Sequence, residues 1–184
     1  MPSDSSPIYI PPNTETTYHI AQDVIQLLKR SRCTLAISES LTGGGLMAAI
    51  TSVEGCSSVF RGGFVSYATP LKQHLLDVDA RLIAEHGVIH PEVAAQMAAG
   101  ARKATTRGGM EPTSWGVGTT GVAGPDPQDG KPVGMVYIGI ASARGSKGFG
   151  PFYFPGTRER VREATVTEAL SLLRQEMRRN EQRN

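Results

Sequence analysis

The feature of the sequence that most constrains its fold is the stretch SESLTGGG, residues 38–45, which separates two apolar runs. The run CTLAI before it predicts a short buried strand, and the run LMAAI after it predicts a helix. Helical and strand patterns alternate along the rest of the chain, which is typical of a layered α/β domain. Whether the central sheet is wholly parallel or mixed stays open at this point.

Periodicity, capping residues and prolines predict the other elements. Thr69 is a candidate N-cap with Pro70 at the first helical position, and Asp79 is a candidate cap of a short helix that ends near Gly87. We find no internal repeat and no interior linker, and therefore expect a single domain over 14–179, a flexible Pro- and Ser-rich arm over 1–13 and a polar tail over 180–184. Helices are predicted over about 14–30, 43–53, 70–77, 80–87 and 90–105 and from about Thr157, and strands over 33–39, 59–67, 114–120 and 134–143.

Composition excludes several classes of partner. The formal net charge of +2 on 184 residues is too small for a nucleic-acid track, so we expect no nucleic-acid partner. No stretch approaches the roughly 18 apolar residues of a membrane span, and no signal-peptide core precedes the first helix, so we expect no membrane partner. Two cysteines, Cys33 and Cys56, make a poor disulfide framework, and we predict a cytoplasmic location.

The turn at 38–45 is a candidate reactive site. A buried strand that enters a helix through glycines places backbone N–H groups at the positive end of the helix, which suits a phosphate or a developing oxyanion. Ser40 would point its hydroxyl into the same space. The alternative is that Ser38, Ser40 or Thr42 only caps the helix. A phosphate-binding loop is disfavoured because no Gly-Lys-Ser/Thr ending follows the glycines.

A reactive serine requires a base, and lysine is the better candidate here. The four histidines form no metal-ligand or triad pattern, and no His/Cys cluster suggests zinc. In SYATPLK, Tyr67 ends a predicted strand and Lys72 lies in the first turn of the next helix. Neighbouring junctions of this kind open onto the same edge of an α/β sheet, so Ser40, Tyr67 and Lys72 could converge. The alternative is that Tyr67 and Lys72 are ordinary surface or packing residues.

Four motifs carry a resemblance to a known family. SESLTGG, GGFVSYATPLK, GTTGVAGPDPQDGKPVGMVYIG and GTRERVREATVTEALSLL stand in the order and spacing of the CinA C-terminal domain family, whose characterised members are nicotinamide mononucleotide deamidases. The resemblance extends over about 21–173 and implies a three-layer α/β/α domain with a Ser-Tyr-Lys catalytic set. This sequence departs from the family pattern at Leu41, where cysteine is usual, and at Ala68 and Thr69, where Ser-Asn is common. The second departure bears on the choice of substrate more than on the chemistry.

The resemblance also implies a reaction, which is hydrolysis of nicotinamide mononucleotide to nicotinate mononucleotide and ammonia. Lys72, if neutral, would act as base, which near pH 7 requires its pKa to fall by about 3 units from the usual value. Glu39 could touch the substrate or only brace the turn. We expect no organic cofactor and no metal, and we expect a homo-oligomer. The resemblance implies Ser40 as nucleophile and a pocket wall of Gly121, Val122, Ala123 and Gly124. In the mechanism that we expect, Tyr67 would relay or orient the proton or steady the leaving amine, and the backbone N–H groups of Thr42, Gly43 and Gly44 would hold the oxyanion. Arg158, at the start of the last helix, is our candidate phosphate ligand, and the alternative is a first-turn arginine that makes only surface contacts.

Two other functions stay open from the sequence. The same site could hydrolyse another small amide or ester, which a panel of substrates would reveal. A non-catalytic nucleotide-binding or interaction protein could also have kept the fold, and binding without turnover would favour it. A binding module has no use for a buried neutral lysine, which argues against the second alternative.

Overall fold

The computed structural model describes residues 15–182, so the predicted arm over 1–13 and the end of the predicted tail lie outside the described residues. This part of the chain contains six α-helices and five strands, which alternate as far as the second strand and are then grouped as three helices, three strands and the last helix. The last helix continues to Glu181, so the first residues of the predicted polar tail are helical. The elements are α1 Thr17–Arg30, β1 Leu35–Glu39, α2 Gly45–Thr51, β2 Phe60–Val65, α3 Thr69–Leu76, α4 Ala80–His86, α5 Pro91–Ala104, β3 Trp115–Gly121, β4 Met135–Ser142, β5 Gly145–Tyr153 and α6 Arg158–Glu181.

The five strands form one mixed sheet in the order β2-β1-β3-β4-β5. Strand β1 pairs in parallel with both β2 and β3, whereas β4 and β5 continue the sheet in antiparallel fashion. The carboxyl ends of β2, β1 and β3 therefore lie side by side at one edge, which is where open α/β sheets bind ligands.

Helices cover both faces of the sheet, which confirms the predicted three-layer α/β/α arrangement. Helix α5 packs on one face against β1, β3, β4 and β5, with α3 beside it. Helices α1, α2 and α6 pack together on the other face. Alternation along β1 serves both layers, because Leu35 and Ile37 join the α1/α2/α6 core while Ala36 joins the smaller cluster under α3 and α5.

Helix α5 approaches the sheet closely because glycines line the strand surface beneath it. An added Cβ at Gly118 would lie 2.5 Å from the carbonyl oxygen of Ala94, and one at Gly139 would lie 1.9 Å from the same oxygen. Gly148 on β5 makes a similar approach to the start of α5. Alanines of α5 fill the remaining space, among them Ala94, Ala98 and Ala101. The glycine pattern in the strands thus sets the distance between these two layers.

Two details differ from the predictions. Strand β5 was not predicted, because its three glycines and Pro151 lower the strand propensity of the sequence; as the edge strand it tolerates a proline there. Helix α3 begins one residue earlier than predicted, with Ala68 at the N-cap position and Thr69 already helical. The predicted cap of α4 is confirmed, since the side chain of Asp79 accepts the N–H of Arg81.

Among the described residues, no helix is both long and apolar enough for a membrane crossing.

We predict that Gly139→Ala destabilises the domain by about 2 kcal/mol or more, because the new methyl group would meet the backbone of α5 at a distance that real Cβ atoms do not adopt. Urea unfolding would measure the change. The matched control is Gly45→Ala, where the added Cβ would lie 3.4 Å from Val166 in ordinary contact and within a helix, so no loss is expected. Equal stability of the two variants would contradict this account of the α5 packing.

Candidate active site

The candidate site lies where β1, β2 and β3 end. Ser40 follows β1 directly, and the segment after β2 continues the ladder for one more residue, since Ser66 N–H donates to the Glu39 carbonyl at 2.9 Å. Thr119, near the end of β3, accepts the Ser40 N–H through its hydroxyl at 3.4 Å. The three strand ends thus place Ser40 between the β2–α3 junction on one side and β3 on the other.

The amine of Lys72 contacts the hydroxyl of Ser40. The Nζ of Lys72 lies 3.1 Å from the Ser40 Oγ, 2.7 Å from the Ser66 carbonyl oxygen and 3.2 Å from the Tyr67 carbonyl oxygen. Lys72 reaches this position because it lies in the first turn of α3, which starts directly after the β2 junction. The structure therefore brings together the serine and the lysine that the sequence analysis paired.

Burial changes the charge state of Lys72. Its side chain is only 1% exposed, and desolvation lowers its pKa to about 8. The two carbonyl oxygens offset part of this penalty, because they accept N–H groups from the amine in either protonation state. With a pKa of about 8, roughly a tenth of the molecules carry a neutral amine at pH 7. The pKa of Lys72 thus falls in the direction that the sequence analysis required, although by somewhat less than the expected fall of about 3 units.

Tyr67 contacts Lys72 through its backbone rather than through its ring. Its hydroxyl accepts a hydrogen bond from Arg158 Nη2 at 2.8 Å, and the side chain is 54% exposed. Arg158 also donates to the Gly124 carbonyl at 2.6 Å, which ties the start of α6 to the loop after β3. A direct relay through the tyrosine hydroxyl is thus unnecessary for proton transfer, since Lys72 already reaches Ser40.

Glu39 braces the turn, which was one of the two interpretations of this residue. The carboxylate is 0% exposed and accepts the N–H groups of Gly44 at 2.9 Å, Leu46 at 3.1 Å and Met47 at 2.8 Å. A carboxylate in this position satisfies the unpaired donors at the start of α2 and complements the helix dipole. Because these donors are occupied, the start of α2 is not arranged to receive a substrate anion.

Two of the three predicted oxyanion donors, the N–H groups of Gly43 and Gly44, are engaged elsewhere. Gly43 N–H donates to the Ser40 carbonyl at 3.1 Å, and Gly44 N–H belongs to the Glu39 carboxylate. The Thr42 side chain is fully buried and pairs with the Thr119 hydroxyl at 2.8 Å. Gly43 and Gly44 have φ angles of 59° and 95°, so the glycines serve the sharp turn itself.

A cleft of about 120 Å³ opens in front of Ser40 and Lys72. This volume equals that of about four water molecules, so it accommodates one ring and its substituent. The predicted wall residues Gly121, Val122, Ala123 and Gly124 all line it, together with Tyr67 and Arg158. The sequence analysis missed four further lining residues, which are Val88, Thr120, Asp126 and Gln128. The rule of neighbouring strand ends could have suggested Thr120, which lies near the end of β3. Thr69 and Leu41, which the sequence analysis discussed as departures from the family pattern, also line the cleft.

The described residues offer no group of three or more His, Cys, Asp or Glu side chains that could hold a metal ion. The cysteines are free and half-buried at separate places in the fold. The polar side chains that line the cleft with Ser40 include the Lys72 amine, the Arg158 guanidinium and the Asp126 carboxylate. These features define the molecule as a three-layer α/β/α domain with a serine–lysine pair at the carboxyl edge of its sheet.

The chain belongs to the CinA C-terminal domain family, whose model matches residues 17–177. A CinA-like protein from Frankia casuarinae is 46% identical over 82% of this chain and 33% of its own length. A putative competence-damage inducible protein from Streptococcus pneumoniae is 39% identical over 84% of this chain and 36% of its own length. The chain thus spans about a third of the length of these relatives.

Solved structures agree with this assignment. A CinA superfamily protein from Escherichia coli is 27% identical, with a TM-score of 0.82 over 91% of this chain and 94% of its own. A competence/damage inducible protein from Agrobacterium tumefaciens is 29% identical, with a TM-score of 0.78 over 89% of this chain and 97% of its own. In both comparisons the match covers nearly the full length of the solved chain, so the two solved structures have the same fold as this chain.

We predict that the buried amine makes stability depend on pH. Above pH 8 the folded state has lost the proton of Lys72, whereas the unfolded state keeps it up to the ordinary value of 10.5. Unfolding then takes up a proton, so the free energy of unfolding of wild type relative to Lys72→Met should rise by up to about 1.4 kcal/mol per pH unit in this window. Urea unfolding at pH 7 to 10 measures it. If the free energy of unfolding relative to Lys72→Met stays constant or falls as the pH rises, the burial of a titrating amine is contradicted. The control is Lys29→Met, because Lys29 is exposed.

Proposed function

We propose that this chain is an amidohydrolase that converts nicotinamide mononucleotide to nicotinate mononucleotide and ammonia through an acyl-enzyme on Ser40. One observation carries the proposal: a lysine with 1% exposure and a pKa of about 8 lies 3.1 Å from a serine hydroxyl at the ligand-binding edge of the sheet. Within residues 15–182 this amine contacts no carboxylate. A buried amine of this kind costs stability, which a non-catalytic binding module would have no reason to accept.

The two carbonyl contacts of Lys72 support its role as base. When the amine is neutral, it has two N–H groups and one lone pair. The N–H groups donate to the carbonyl oxygens of Ser66 and Tyr67, so the lone pair is directed at the third neighbour, the Ser40 hydroxyl. That hydroxyl then donates to the amine and is activated for attack.

The chemistry proceeds in two stages. The Ser40 oxygen bonds to the carboxamide carbon while its proton passes to Lys72, and the tetrahedral intermediate collapses as the C–N bond breaks. The protonated Lys72 returns the proton to the departing nitrogen, which leaves as ammonia. Water then attacks the ester, giving its proton to Lys72, and the released Ser40 oxygen takes that proton back as the nicotinate product forms.

The oxyanion needs a donor other than the predicted glycines. We assign this role to the N–H of Leu41, because Leu41 lines the cleft and directly follows the nucleophile. Within residues 15–182 no hydrogen bond is assigned to this N–H. The residue after the nucleophile fills the same role in other serine hydrolases, and one such donor contributes about 3 kcal/mol.

Arg158 supports the choice of a nucleotide substrate. Its guanidinium stands at the mouth of the cleft, where it donates to Tyr67 and Gly124 and leaves further N–H groups for a phosphate. The cleft itself is large enough for the pyridine ring, so the ribose and phosphate would extend outward along Tyr67.

A second candidate is a hydrolase that acts on another small amide or ester at the same site. It is favoured by one specific observation, which is that Thr69 lines the cleft at a position where the family pattern commonly has asparagine. A threonine offers a hydroxyl and a methyl group where asparagine offers an amide, so the polar contacts to a substrate differ there.

The function is tested by measuring ammonia release from nicotinamide mononucleotide and from a panel of small amides and esters. We expect Ser40→Ala to lower kcat by about 10³-fold or more, since within residues 15–182 the Lys72 amine contacts no hydroxyl other than that of Ser40, while the exposed control Ser57→Ala keeps the wild-type rate. A Ser40→Ala variant that retains more than about a tenth of the rate would refute the assignment of the nucleophile. Turnover of panel substrates without turnover of the nucleotide would favour the second candidate.

A pH profile tests Lys72 separately. Because the neutral amine is the base, kcat/KM should rise about tenfold per pH unit below the pKa of Lys72 and level off above pH 8. The measurement uses wild type between about pH 6.5 and 10. This range lies above the second ionisation of the substrate's phosphate, near 6, so that titration of the substrate does not shape the profile. A rate that falls as the pH rises from 7 to 9 would mean that the protonated lysine is the active form.

A further inference from the structure

The turn that carries Ser40 is held from two opposite sides by charged side chains. On one side the Glu39 carboxylate accepts N–H groups of Gly44 and of the start of α2. On the other side Arg162 donates from Nε to the Leu41 carbonyl at 3.1 Å and from Nη2 to the Thr42 carbonyl at 3.0 Å. One side chain thus binds the donors of the turn and the other binds its acceptors.

Arg162 belongs to α6 and lies 120 residues along the chain from the turn. It follows Arg158 by four residues, so both guanidinium groups extend from one side of the helix. Arg158 reaches the cleft and Arg162 reaches the turn, which connects the nucleophile and the candidate phosphate ligand to one rigid element. Gly43 keeps space for this contact, since a Cβ there would lie 3.3 Å from Arg162 Nη2.

Arg162 does not take part in the cleft. It lines a separate depression behind the turn, together with Thr42, Gly45 and Val166. The residues around the cleft include Ser40 and Leu41 but not Arg162. A substitution at Arg162 therefore changes the support of the turn and leaves the groups that would contact the substrate in place.

We propose that Arg162 is a positioning residue, which fixes the Ser40 turn against α6 so that the Ser40 hydroxyl stays within reach of the Lys72 amine. The proposal rests on the proposed function in one respect, namely that Ser40 is the nucleophile. The turn contains three consecutive glycines, which are conformationally permissive, and the hydrogen bonds to two successive carbonyls remove that freedom. The fork of N–H donors in arginine can hold both carbonyls at once, whereas the ammonium of lysine is a compact group on a flexible chain.

The same contact bears on the candidate oxyanion donor. The Ser40 carbonyl accepts Gly43 N–H, and the next carbonyl, that of Leu41, accepts Arg162. These bonds fix the two peptide planes on either side of Leu41. The orientation of the Leu41 N–H therefore depends on Arg162 as well, which means that loss of the contact should slow the chemical step and not only weaken the fold.

The experiment compares Arg162→Met, Arg162→Lys and Arg162→Ala with Arg160→Met. Arg160 is an exposed arginine on the same helix, so its variant serves as matched control. The first measurement is the rate at which a small sulfonyl fluoride labels Ser40, located by peptide mass spectrometry, which requires no knowledge of the substrate. The second is kcat and KM for nicotinamide mononucleotide. The pH profile and the thermal midpoint are recorded for each variant.

We expect Arg162→Met to lower both the labelling rate and kcat by about 10 to 100-fold with KM changed less than about threefold, because small misplacements of reacting groups have effects of this size. The pH at which kcat/KM levels off should stay at the wild-type value, since Lys72 remains buried. Arg162→Lys should lie between wild type and Arg162→Met, and millimolar guanidinium should partly restore Arg162→Ala but not change Arg160→Met.

The possible failures are distinguishable. If Ser40 is labelled equally fast in wild type and in all Arg162 variants, the positioning role is overturned and the proposed nucleophile stands. If wild-type Ser40 is not labelled at all, the nucleophile and the positioning role are both overturned. If labelling falls in the variants but wild type does not hydrolyse the nucleotide, the positioning role is supported and only the proposed substrate is overturned. A loss that tracks the thermal midpoint and is not restored by guanidinium would indicate a purely structural contact and overturn the proposal.

Discussion

The burial of one amine, that of Lys72, is the constraint on which the site depends. An ammonium group removed from water is costly unless it loses its proton or finds acceptors, and here both effects operate. The carbonyl oxygens of Ser66 and Tyr67 accept its N–H groups, while desolvation lowers its pKa to about 8. The same burial leaves Ser40 as the remaining neighbour of the nitrogen. Charge state and geometry therefore have one cause, which is the packing of α3 against α5 directly after the end of β2.

That packing can be followed through the fold to the glycines of the sheet. Gly118 and Gly139 allow α5 to lie close on the strands, and Gly100 of α5 allows the end of α3 to approach, with its missing Cβ 2.1 Å from the Leu76 carbonyl. Lys72 stands one turn before Leu76 on α3. These glycines thus affect the site without touching it. They determine how closely the helical layer that carries Lys72 can approach the sheet that carries Ser40.

Much of this arrangement could be predicted from the sequence, and the exceptions have physical reasons. Ser40 and Lys72 were paired because parallel neighbouring strands end at one edge, a rule that depends only on element order. The role of Glu39 could not be decided, since a carboxylate beside a serine can face a ligand or its own backbone with equal ease. The oxyanion donors were placed at Thr42, Gly43 and Gly44 because the start of a helix ordinarily offers free N–H groups. In the structure the Glu39 carboxylate takes the N–H of Gly44, and the Ser40 carbonyl takes that of Gly43. Strand β5 was missed because its glycines and proline suppress the local pattern, while its pairing with β4 is a tertiary contact.

The sequence by itself determined the order of the elements, the sharp turn at the three glycines and the set of reactive side chains, since these follow from local periodicity and from the conformational freedom of glycine. Only the tertiary structure decided that the amine is buried, that Tyr67 turns its hydroxyl to Arg158, and that Arg162 reaches back from α6 to the serine turn. The reason is that burial and long-range hydrogen bonds depend on how the layers pack, and residues 40, 72 and 162 become neighbours only when three separate elements meet at one edge of the sheet.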